Sequence, residues 1–438
     1  MNIRIIKYAI IIGDVFLKYS INKSIKYWKT VFNSSTNKVN ELEKENLSKI
    51  LAYAVNNIKY YKKNGIQLND NPYEAIKDFP ILTKEILRNN ENELISKKYK
   101  KEKLLVSYSS GSSGVQSRIF MSKKEKSSNL GILLNIWKDQ GYSFGNNILQ
   151  TGMSPNRGIL KSIKDFLFKT NYINAFSHSE EDLKKALLKN VNKKNNVLIG
   201  YASSLNVIAE IVIKENINLK IKSVISFGDK LFNIYKKNIE KAFKAKVLES
   251  YGSNEGLMIA FQKDLDYMYI INPHVYIEIL DDEGNPVKDG EIGNIIVTRL
   301  DGFSMPIIRY KIGDLGIKLP KEKYPKKREY NFPLFEKIIG RETDIIKLSS
   351  NKTLTVHSFT GIFEFVPEIK QFKVIQEKID KITIEYIKDS GFKLEILENI
   401  TSELQKHIQD SSFKINYKEV TFIAPTKSGK PQIVESKL

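Results

Sequence analysis

Five short segments of this chain carry residue types that can work on a phosphorylated ligand. The first, Ser109-Ser110-Gly111-Ser112-Ser113-Gly114, follows the apolar run Leu104-Leu105-Val106. Glycine lets the backbone approach a ligand closely, and successive N–H groups flanked by hydroxyls suit a phosphate. Taken alone, the same composition reads first as an ordinary loop, and with no Gly-Lys-Ser/Thr after it this is not a Walker A loop. The second, Glu249-Ser250-Tyr251-Gly252-Ser253-Asn254-Glu255-Gly256, is placed directly after a predicted strand. Its aromatic ring can stack on a base and its later carboxylate can hold Mg²⁺ against phosphates; the alternative is a strand-to-helix turn with a capping acid. In the third, residues 306–316, Asp314 at a predicted tight turn suits the two hydroxyls of a ribose, or is simply a turn aspartate. The fourth, residues 338–347, sets Gly340 and Arg341 at a predicted domain boundary. The fifth, Thr426-Lys427-Ser428-Gly429-Lys430, offers a lysine that is either reactive or solvated in a mobile tail.

These segments need elements to hold them, and the pattern of the chain supplies an α/β arrangement. Helical spacing dominates up to about residue 90, with Leu42, Leu47, Ile50, Leu51, Ala54 and Val55 on one face. Residues 78–85 predict a turn followed by a helix capped by Thr83. Beyond the Gly/Ser segment, strands and helices alternate: strands at 197–200, 224–227 and 246–249, helices at 202–214 and 232–245. Residues 268–319 predict a β-meander, and the charged stretch 320–333 a loop. The remainder predicts a compact unit with strands at 372–375, 382–387 and 415–422 and a helix from about 393 to 409. The expected architecture is a large N-terminal domain of mixed sheets with helices, residues 1–340, and a small mobile α+β domain, residues 341–438. Residues 1–45 form a variable helical segment in front of the first.

Bulk composition narrows the classes. The chain has 438 residues, 41% of them hydrophobic, which takes it out of the disordered class and calls for more than one core. It has no cysteine, so disulfides, a cysteine nucleophile and a thiolate metal site are excluded; a cytoplasmic location is expected. The net charge of +20 suits nucleotides, coenzyme A, acidic glycans, an anionic membrane surface or nucleic acid, or else follows from a lysine-rich composition. No apolar stretch reaches the length of a membrane span. The run from Tyr8 to Leu17 is broken by Asp14 and is not read as a signal peptide. Lys18, Lys23, Lys26 and Lys29 alternate with Ile21, Ile25, Tyr27 and Trp28, a basic amphipathic helix. It either packs on its own domain or makes peripheral contact with the inner face of the membrane.

Singly, each segment is open to both readings. Together, in this order and spacing, they resemble the adenylate-forming superfamily of acyl-CoA synthetases, adenylation domains and luciferases. Within it the chain is most similar to the phenylacetate–CoA ligase branch, particularly CapK-like and coenzyme F390 synthetase-like proteins, from about residue 45 onward. Residues 58–62, 79–84, Gly200-Tyr201-Ala202-Ser203-Ser204-Leu205 and Phe227-Gly228-Asp229-Lys230-Leu231 add to the likeness.

The resemblance implies a reaction in which a carboxylic acid attacks the α-phosphate of ATP, followed by transfer of the acyl group to an acceptor. It assigns Ser110, Gly111, Ser112, Ser113 and Gly114 to the phosphates. Gly228, Asp229, Lys230, Ser250, Tyr251 and Gly252 are assigned to the adenine, Asp314 to the ribose, Glu255 to Mg²⁺ and Arg341 to ribose or phosphate. Lys430, carried on the small domain, would neutralise charge between the carboxylate and the α-phosphate, with the hinge at Thr343, where Asp or Lys is common.

Departures from the family pattern carry their own expectations. Val115-Gln116-Ser117 stands where Lys-Pro usually follows, so Arg118 is a candidate for the missing charge, and Lys311 replaces an arginine. The cysteine cluster that holds zinc in several relatives is missing, so no zinc is expected. The acid is undetermined, with Phe176, His178 and Tyr201 hinting at a planar one. The acceptor is coenzyme A or an amine, hydroxyl or carrier of a glycan pathway, and a homodimer is plausible. The non-enzymatic alternative, a basic nucleic-acid- or membrane-binding protein, leaves Tyr251, Glu255 and Lys430 without a role; nucleic acid is not an expected partner.

Overall fold

The computed structural model describes residues 12–14, 16–108, 117–152, 165, 168–174, 180–193, 196–253, 255–341, 345–349, 353–363, 366, 368–389, 391–424 and 432–438. The N-terminal part begins with helices α1 (Ile21–Phe32), α2 (Thr36–Asn57) and α3 (Lys84–Asn89). Thr83 caps α3 through its hydroxyl, which accepts from the Ile86 N–H at 3.2 Å, as its sequence predicts. Strands β1 (Leu105–Tyr108) and β2 (Arg118–Met121) pair antiparallel with Tyr108 opposite Arg118. The strands that flank residues 109–116 are thereby held side by side. Helix α4 (Lys123–Asp139) then starts on a capping box formed by Ser122 and Glu125.

One sheet of eleven strands organises the large part of the molecule. Strands β3 (Asn147–Gly152), β4 (Thr170–Asn174), β5 (Asn196–Gly200), β6 (Ile221–Phe227) and β7 (Val247–Ser253) run parallel in the order β4-β3-β5-β6-β7. Strand β5, Asn-Val-Leu-Ile-Gly, is buried along its whole length, the pattern of a parallel strand covered on both faces. Helices α5 (Glu180–Leu188), α6 (Ala202–Lys214) and α7 (Asn233–Phe243) cover one face, with Leu187, Leu205, Ile208 and Ile239 in the same cluster as Leu198, Val224 and Val247.

The meander continues this same sheet. Strands β8 (Leu257–Phe261), β9 (Met268–Ile270), β10 (Val275–Leu280), β11 (Ile292–Arg299), β12 (Tyr310–Lys318) and β13 (Leu334–Arg341) are antiparallel and extend it as β7-β8-β9-β13-β12-β11-β10. Strand β8 makes the join, since it pairs with β7 over Ser250–Ser253 and with β9 on its other edge. Helices α2 and α3 cover the antiparallel part through Leu47, Ile50, Leu51 and Leu87, packed with Ile277, Ile295 and Val297.

The small C-terminal α+β domain has a four-stranded sheet in the order β18-β17-β16-β19, made of β16 (Ile369–Lys378), β17 (Lys381–Lys388), β18 (Lys414–Glu419) and β19 (Val434–Ser436). A two-stranded ribbon, β14 (Ile345–Lys347) with β15 (Thr353–Thr355), and helices α8 (Val356–Phe363) and α9 (Glu395–Ile408) complete it. The ribbon, α8 and β19 are too short or too uniformly apolar to carry a period, and the sequence did not announce them.

Helix α1 packs on its own domain. Trp28, Val31 and Phe32 are buried in a cluster with Ile132 and Ile136 of α4 and with Phe261 and Phe332. The crossing is close: a Cβ on Gly131 would lie 2.8 Å from the Ser24 main-chain carbon. Trp28 Nε1 donates to Ser128 Oγ at 3.0 Å, and Ser128 Oγ donates to Asp301 at 2.6 Å, so the helix is tied to a buried carboxylate. Just upstream, Phe16 and Leu17 are exposed. No described helix is long and apolar enough to cross a membrane. Replacing Trp28 by alanine removes an almost fully buried ring and its hydrogen bond, and should cost about 3–5 kcal/mol in urea unfolding. Trp28→Phe keeps most of the ring's packing and should cost about 1–2 kcal/mol. Equal losses in the two variants would mean that the ring's volume contributes nothing.

Candidate active site

The carboxyl ends of β5, β6 and β7 lie along one edge of the sheet, the place where open parallel sheets present ligands. Phe227, the last residue of β6, is level with Ser250 of β7. The chain then turns at Gly228, φ +83°, against the ring of Tyr201, which follows β5; a Cβ on Gly228 would sit 2.5 Å from Tyr201 Cε1. Only glycine combines that dihedral with that approach. Asp229 is spent on the start of α6: its carboxylate accepts from the Ala202 and Ser203 N–H groups and from the Ser203 hydroxyl. Tyr201 also packs against Phe227, with ring centroids 5.2 Å apart. Of the residues hinting at a planar acid, it therefore has a packing role, while Phe176 and His178 lie outside the described residues.

Lys230 reaches the other half of the site and donates to the carbonyl of Ile339 in β13. Next to it, the Leu231 N–H donates to Glu249 Oε1 at 3.3 Å. Burial pushes the carboxyl of half-buried Glu249 up to about 7, against the pull of that N–H and of Lys230. Glu249 was not expected to have any role beyond opening its motif.

Tyr251 is brought to Asp314 across the sheet. Its hydroxyl donates to Asp314 Oδ2 at 2.7 Å, and its ring meets that of Phe335 edge-on at 6.3 Å. Strand β7 runs on to Ser253 rather than ending before the motif, because β8 pairs with it after β6 has stopped. Asp314 likewise lies within β12 and not at a tight turn. The register with β11 shifts between Asn294 and Ile296, and Gly313, φ +86°, takes up the bulge. Asp314 is level with Arg341 of β13. Gly228, Lys230, Tyr251, Asp314 and the Gly340-Arg341 backbone therefore meet in one place.

Glu255 lies 2% exposed, with Oε1 accepting from the hydroxyl of Tyr310 at 3.0 Å. Tyr310 is another residue whose role the sequence did not reveal. Its backbone is fixed by Arg309, which adopts φ +51° and pairs with Glu278 at 3.1 Å. Beneath the motif, Gly256 at φ +82° leaves a Cβ position only 3.0 Å from Asn129 Nδ2. Arg299 holds Asn129 Oδ1 at 3.2 Å and Asp301 at 2.8 Å. Burial alone would raise Asp301, but His274 and Arg299 outweigh it and hold the carboxyl well below the usual range. A single carboxylate with one oxygen already bonded suits Mg²⁺, which takes one or two carboxylates and completes its shell from phosphates and water. Among the described residues no group of three or more His, Cys, Asp or Glu could hold a metal by itself.

Ser250, 8% exposed, donates to Gln140 at 3.4 Å and so faces the interior. Gly252 is level with Met258 of β8. Ser110, Gly111, Ser112, Ser113, Gly114, Thr343 and Lys430 lie outside the described residues, as does the side chain of Arg341. Arg118, the candidate for the charge missing from the phosphate loop, is paired at both ends with buried Glu91, at 2.6 and 3.0 Å.

The chain is similar to several known proteins. A family model described as the CapK C-terminal domain matches residues 346–437. Protein CapK of Staphylococcus aureus is 25% identical over 437 residues, 95% of this chain and 93% of that one. Phenylacetate-coenzyme A ligase of Pseudomonas putida is 27% identical over 165 residues, 36% of this chain and 35% of that one. A crystal structure of 2-hydroxyisobutyryl-CoA ligase in the postadenylation state, in complex with 2-HIB-AMP, shares the fold. It overlaps with a TM-score of 0.73 at 16% identity, over 93% of this chain and 91% of that one.

The fold is that of an adenylate-forming ligase, and the chain is similar in sequence to CapK-like and phenylacetate–CoA ligase-like proteins.

The raised Glu249 carboxyl has a consequence for stability. Between about 4.5 and 7 the folded protein holds a proton that the unfolded chain has lost, so stability falls as pH rises through that window. Glu249→Gln removes the dependence. Its melting temperature should match wild type at pH 5 and exceed it by about 2–4 °C at pH 8. A constant difference at both pH values would show that Glu249 does not titrate there.

Proposed function

We propose that this protein is an ATP-dependent, AMP-forming ligase that activates a small carboxylic acid as its acyl-adenylate and passes the acyl group to coenzyme A. The observation that carries the reading is the meeting of Tyr251 and Asp314 beside the Gly340-Arg341 backbone, with Glu255 buried behind them. In the first step a carboxylate oxygen of the acid attacks the α-phosphorus of ATP and pyrophosphate leaves. In the second the acceptor attacks the acyl carbon and AMP leaves. Neither step needs covalent help from the protein, so alignment and charge stabilisation are its contribution.

In this reading Asp314 accepts from the ribose hydroxyls, steadied by Tyr251, and the Tyr251 ring flanks the adenine with Gly228 and Gly252. Glu255, held by Tyr310, is the protein's ligand for Mg²⁺, whose chemistry is to neutralise charge on the phosphates. Ser110, Gly111, Ser112, Ser113 and Gly114 hold the phosphates with their N–H groups. Lys430, on a small domain spanning residues 341–438 and turning at Thr343, balances the charge that builds as the acid attacks. Asp229 and Ser250 act from behind, since the one caps α6 and the other faces Gln140. A second acceptor class, an amine, hydroxyl or carrier of a surface glycan, keeps the same first step. It is favoured by the full-length likeness to CapK and by the net charge of +20.

Acid-dependent exchange of labelled pyrophosphate into ATP, across aryl, fatty, hydroxy and amino acids, tests the first step. Exchange with one acid class is expected. Lys430→Ala and Glu255→Gln should each lower it by about 10²–10³-fold; exchange equal to wild type in either would remove that residue from the mechanism. Asp314→Asn weakens two charge-assisted hydrogen bonds, so the KM for ATP should rise by roughly tenfold or more while a residual kcat persists. An unchanged KM would place the ribose elsewhere. With the acid known, product analysis with coenzyme A and with amine acceptors decides the second step.

A further inference from the structure

Asp14, the residue that breaks the apolar run ahead of α1, has a structural task. Its Oδ1 accepts from the Ile21 N–H and its Oδ2 from the Asn22 N–H, both at 2.8 Å, so it satisfies two donors at the start of α1. The chain reverses on the way, with Lys18 at φ +56° and the Tyr19 N–H donating to the Asp14 carbonyl at 3.0 Å. Helix α4 braces the same turn. Lys123 Nζ donates to the Leu17 carbonyl at 2.9 Å, and the Ser20 N–H donates to Ser127 Oγ at 3.0 Å. The side chains that this braced turn carries face water: Phe16 is 81% exposed, Leu17 55% and Ile12 54%. Single exposed apolar residues are ordinary, but three together on a fixed mount mark a contact surface.

Beside them α1 turns a basic face outward. Lys23, Lys26, Tyr27 and Thr30 recur at i, i+3, i+4 and i+7 and are all exposed, opposite buried Trp28, Val31 and Phe32. Lys29 is exposed next to that face. The first 40 residues of the sequence hold seven basic residues and one acid, and that acid is Asp14, already spent on the helix start. In sequence, residues 1–11 add Ile3, Ile5, Ile6, Ile10 and Ile11 to the basic pair Arg4 and Lys7.

We propose that Ile12, Phe16 and Leu17, together with the lysines on the outer face of α1, form a docking surface for an anionic lipid bilayer. The apolar side chains enter the boundary between head groups and acyl chains, and Lys18, Lys23, Lys26 and Lys29 stay among the anionic head groups. Charge complementarity selects this occupant. A second copy of the chain would set the same lysines against themselves, with +20 on each molecule. A nucleic acid would satisfy the lysines but leave the aliphatic side chains of Ile12 and Leu17 without a partner. The buried side of α1 keeps its place on the large domain, so the helix packs on its own protein and offers the opposite face to the lipid. Nothing in this inference rests on the ligase reading.

The test is sedimentation of the full chain with vesicles of phosphatidylcholine alone and of phosphatidylcholine with about one-third phosphatidylglycerol. The protein should bind the anionic vesicles roughly tenfold or more tighter, and about 0.5 M NaCl should weaken that binding. Phe16→Ser combined with Leu17→Ser removes apolar contact, and Lys23→Glu combined with Lys26→Glu reverses the charge. Each pair should lower the affinity for anionic vesicles by roughly tenfold or more. All four side chains are exposed, so both variants should melt with the wild type; should one pair melt early, the other decides. No binding to either vesicle overturns the proposal. Binding unchanged by the Phe16, Leu17 pair means adsorption by charge alone and overturns it as well. An oligomer that the same pair dissociates in size-exclusion chromatography would give the face to a second copy. A single-stranded oligonucleotide that displaces the vesicles, and binds the Phe16, Leu17 variant undiminished, would give the lysines to nucleic acid; either result overturns the lipid. A wild type that exchanges no pyrophosphate with any acid defeats the ligase reading and leaves the vesicle result to stand or fall by itself.

Discussion

Strand β7 is hydrogen-bonded to two different kinds of neighbour, and the site follows from that. Along its first half it pairs parallel with β6, up to Ser250; along its second half it pairs antiparallel with β8, up to Ser253. The overlap at Ser250 is short. Past it, β7 has lost its parallel partner, and the edge it exposes there is what Tyr251 occupies. Because β8 continues through β9 to β13 and β12, the same strand sets where Asp314 and Arg341 come to lie. In a sheet parallel throughout, β7 would have no antiparallel partner to carry the chain on to β13 and β12. A sheet antiparallel throughout would have had no row of carboxyl ends. The site needs the change of direction.

Under that edge the protein places charge where most proteins place hydrocarbon. Arg299, 2% exposed, lies between Asn129 and Asp301, and Asp301 is further held by His274 and by the Trp28–Ser128 relay from α1. Glu125 closes the other side, accepting from the Phe303 and Ser304 N–H groups at 2.6 and 2.8 Å. Buried charges are costly unless paired and fully bonded, and networks of this sort fix geometry more than they add stability. Here the fixed item is the backbone at Gly256. It turns with φ +82° over Asn129 and sets Glu255 against Tyr310. The N-terminal helix, which the sequence presents as a candidate for membrane contact, is thus mechanically part of the platform under the candidate metal ligand.

What could be read from the sequence follows from which signals are local. The helix at 202–214 was legible to the residue, since its apolar period and the preceding Gly200-Tyr201 bound it closely. Thr83 announced its helix through a side-chain cap that acts within three residues. The change of direction at β7 was not legible, because which strand pairs on which edge is decided by partners far along the chain. For that reason the sequence predicts the motif from Glu249 after the strand, whereas five of its eight residues lie within it. Gly-Asp is turn chemistry and predicts Asp314 in a turn; the glycine is in fact the residue that lets β12 bulge. Tyr310 and Arg299 carried no signal at all. One is a tyrosine between two basic residues and the other a basic residue ending a strand, and only the fold brings them to Glu255 and Gly256.

Asp229 shows why the order of residues in these segments is constrained beyond ligand contact. Its neighbours differ in purpose: Gly228 clears the Tyr201 ring, Asp229 caps α6, Lys230 holds β13 and Phe232 enters the small domain's core. Four jobs in five residues leave the loop no freedom to slide, since moving it in either direction breaks a cap, a glycine dihedral or a buried ring. Nothing in that list names an acid or an acceptor. Those are chosen by side chains facing the reacting atoms. The loop after β6 therefore encodes how the site is assembled, and the choice of substrate is written elsewhere in the fold.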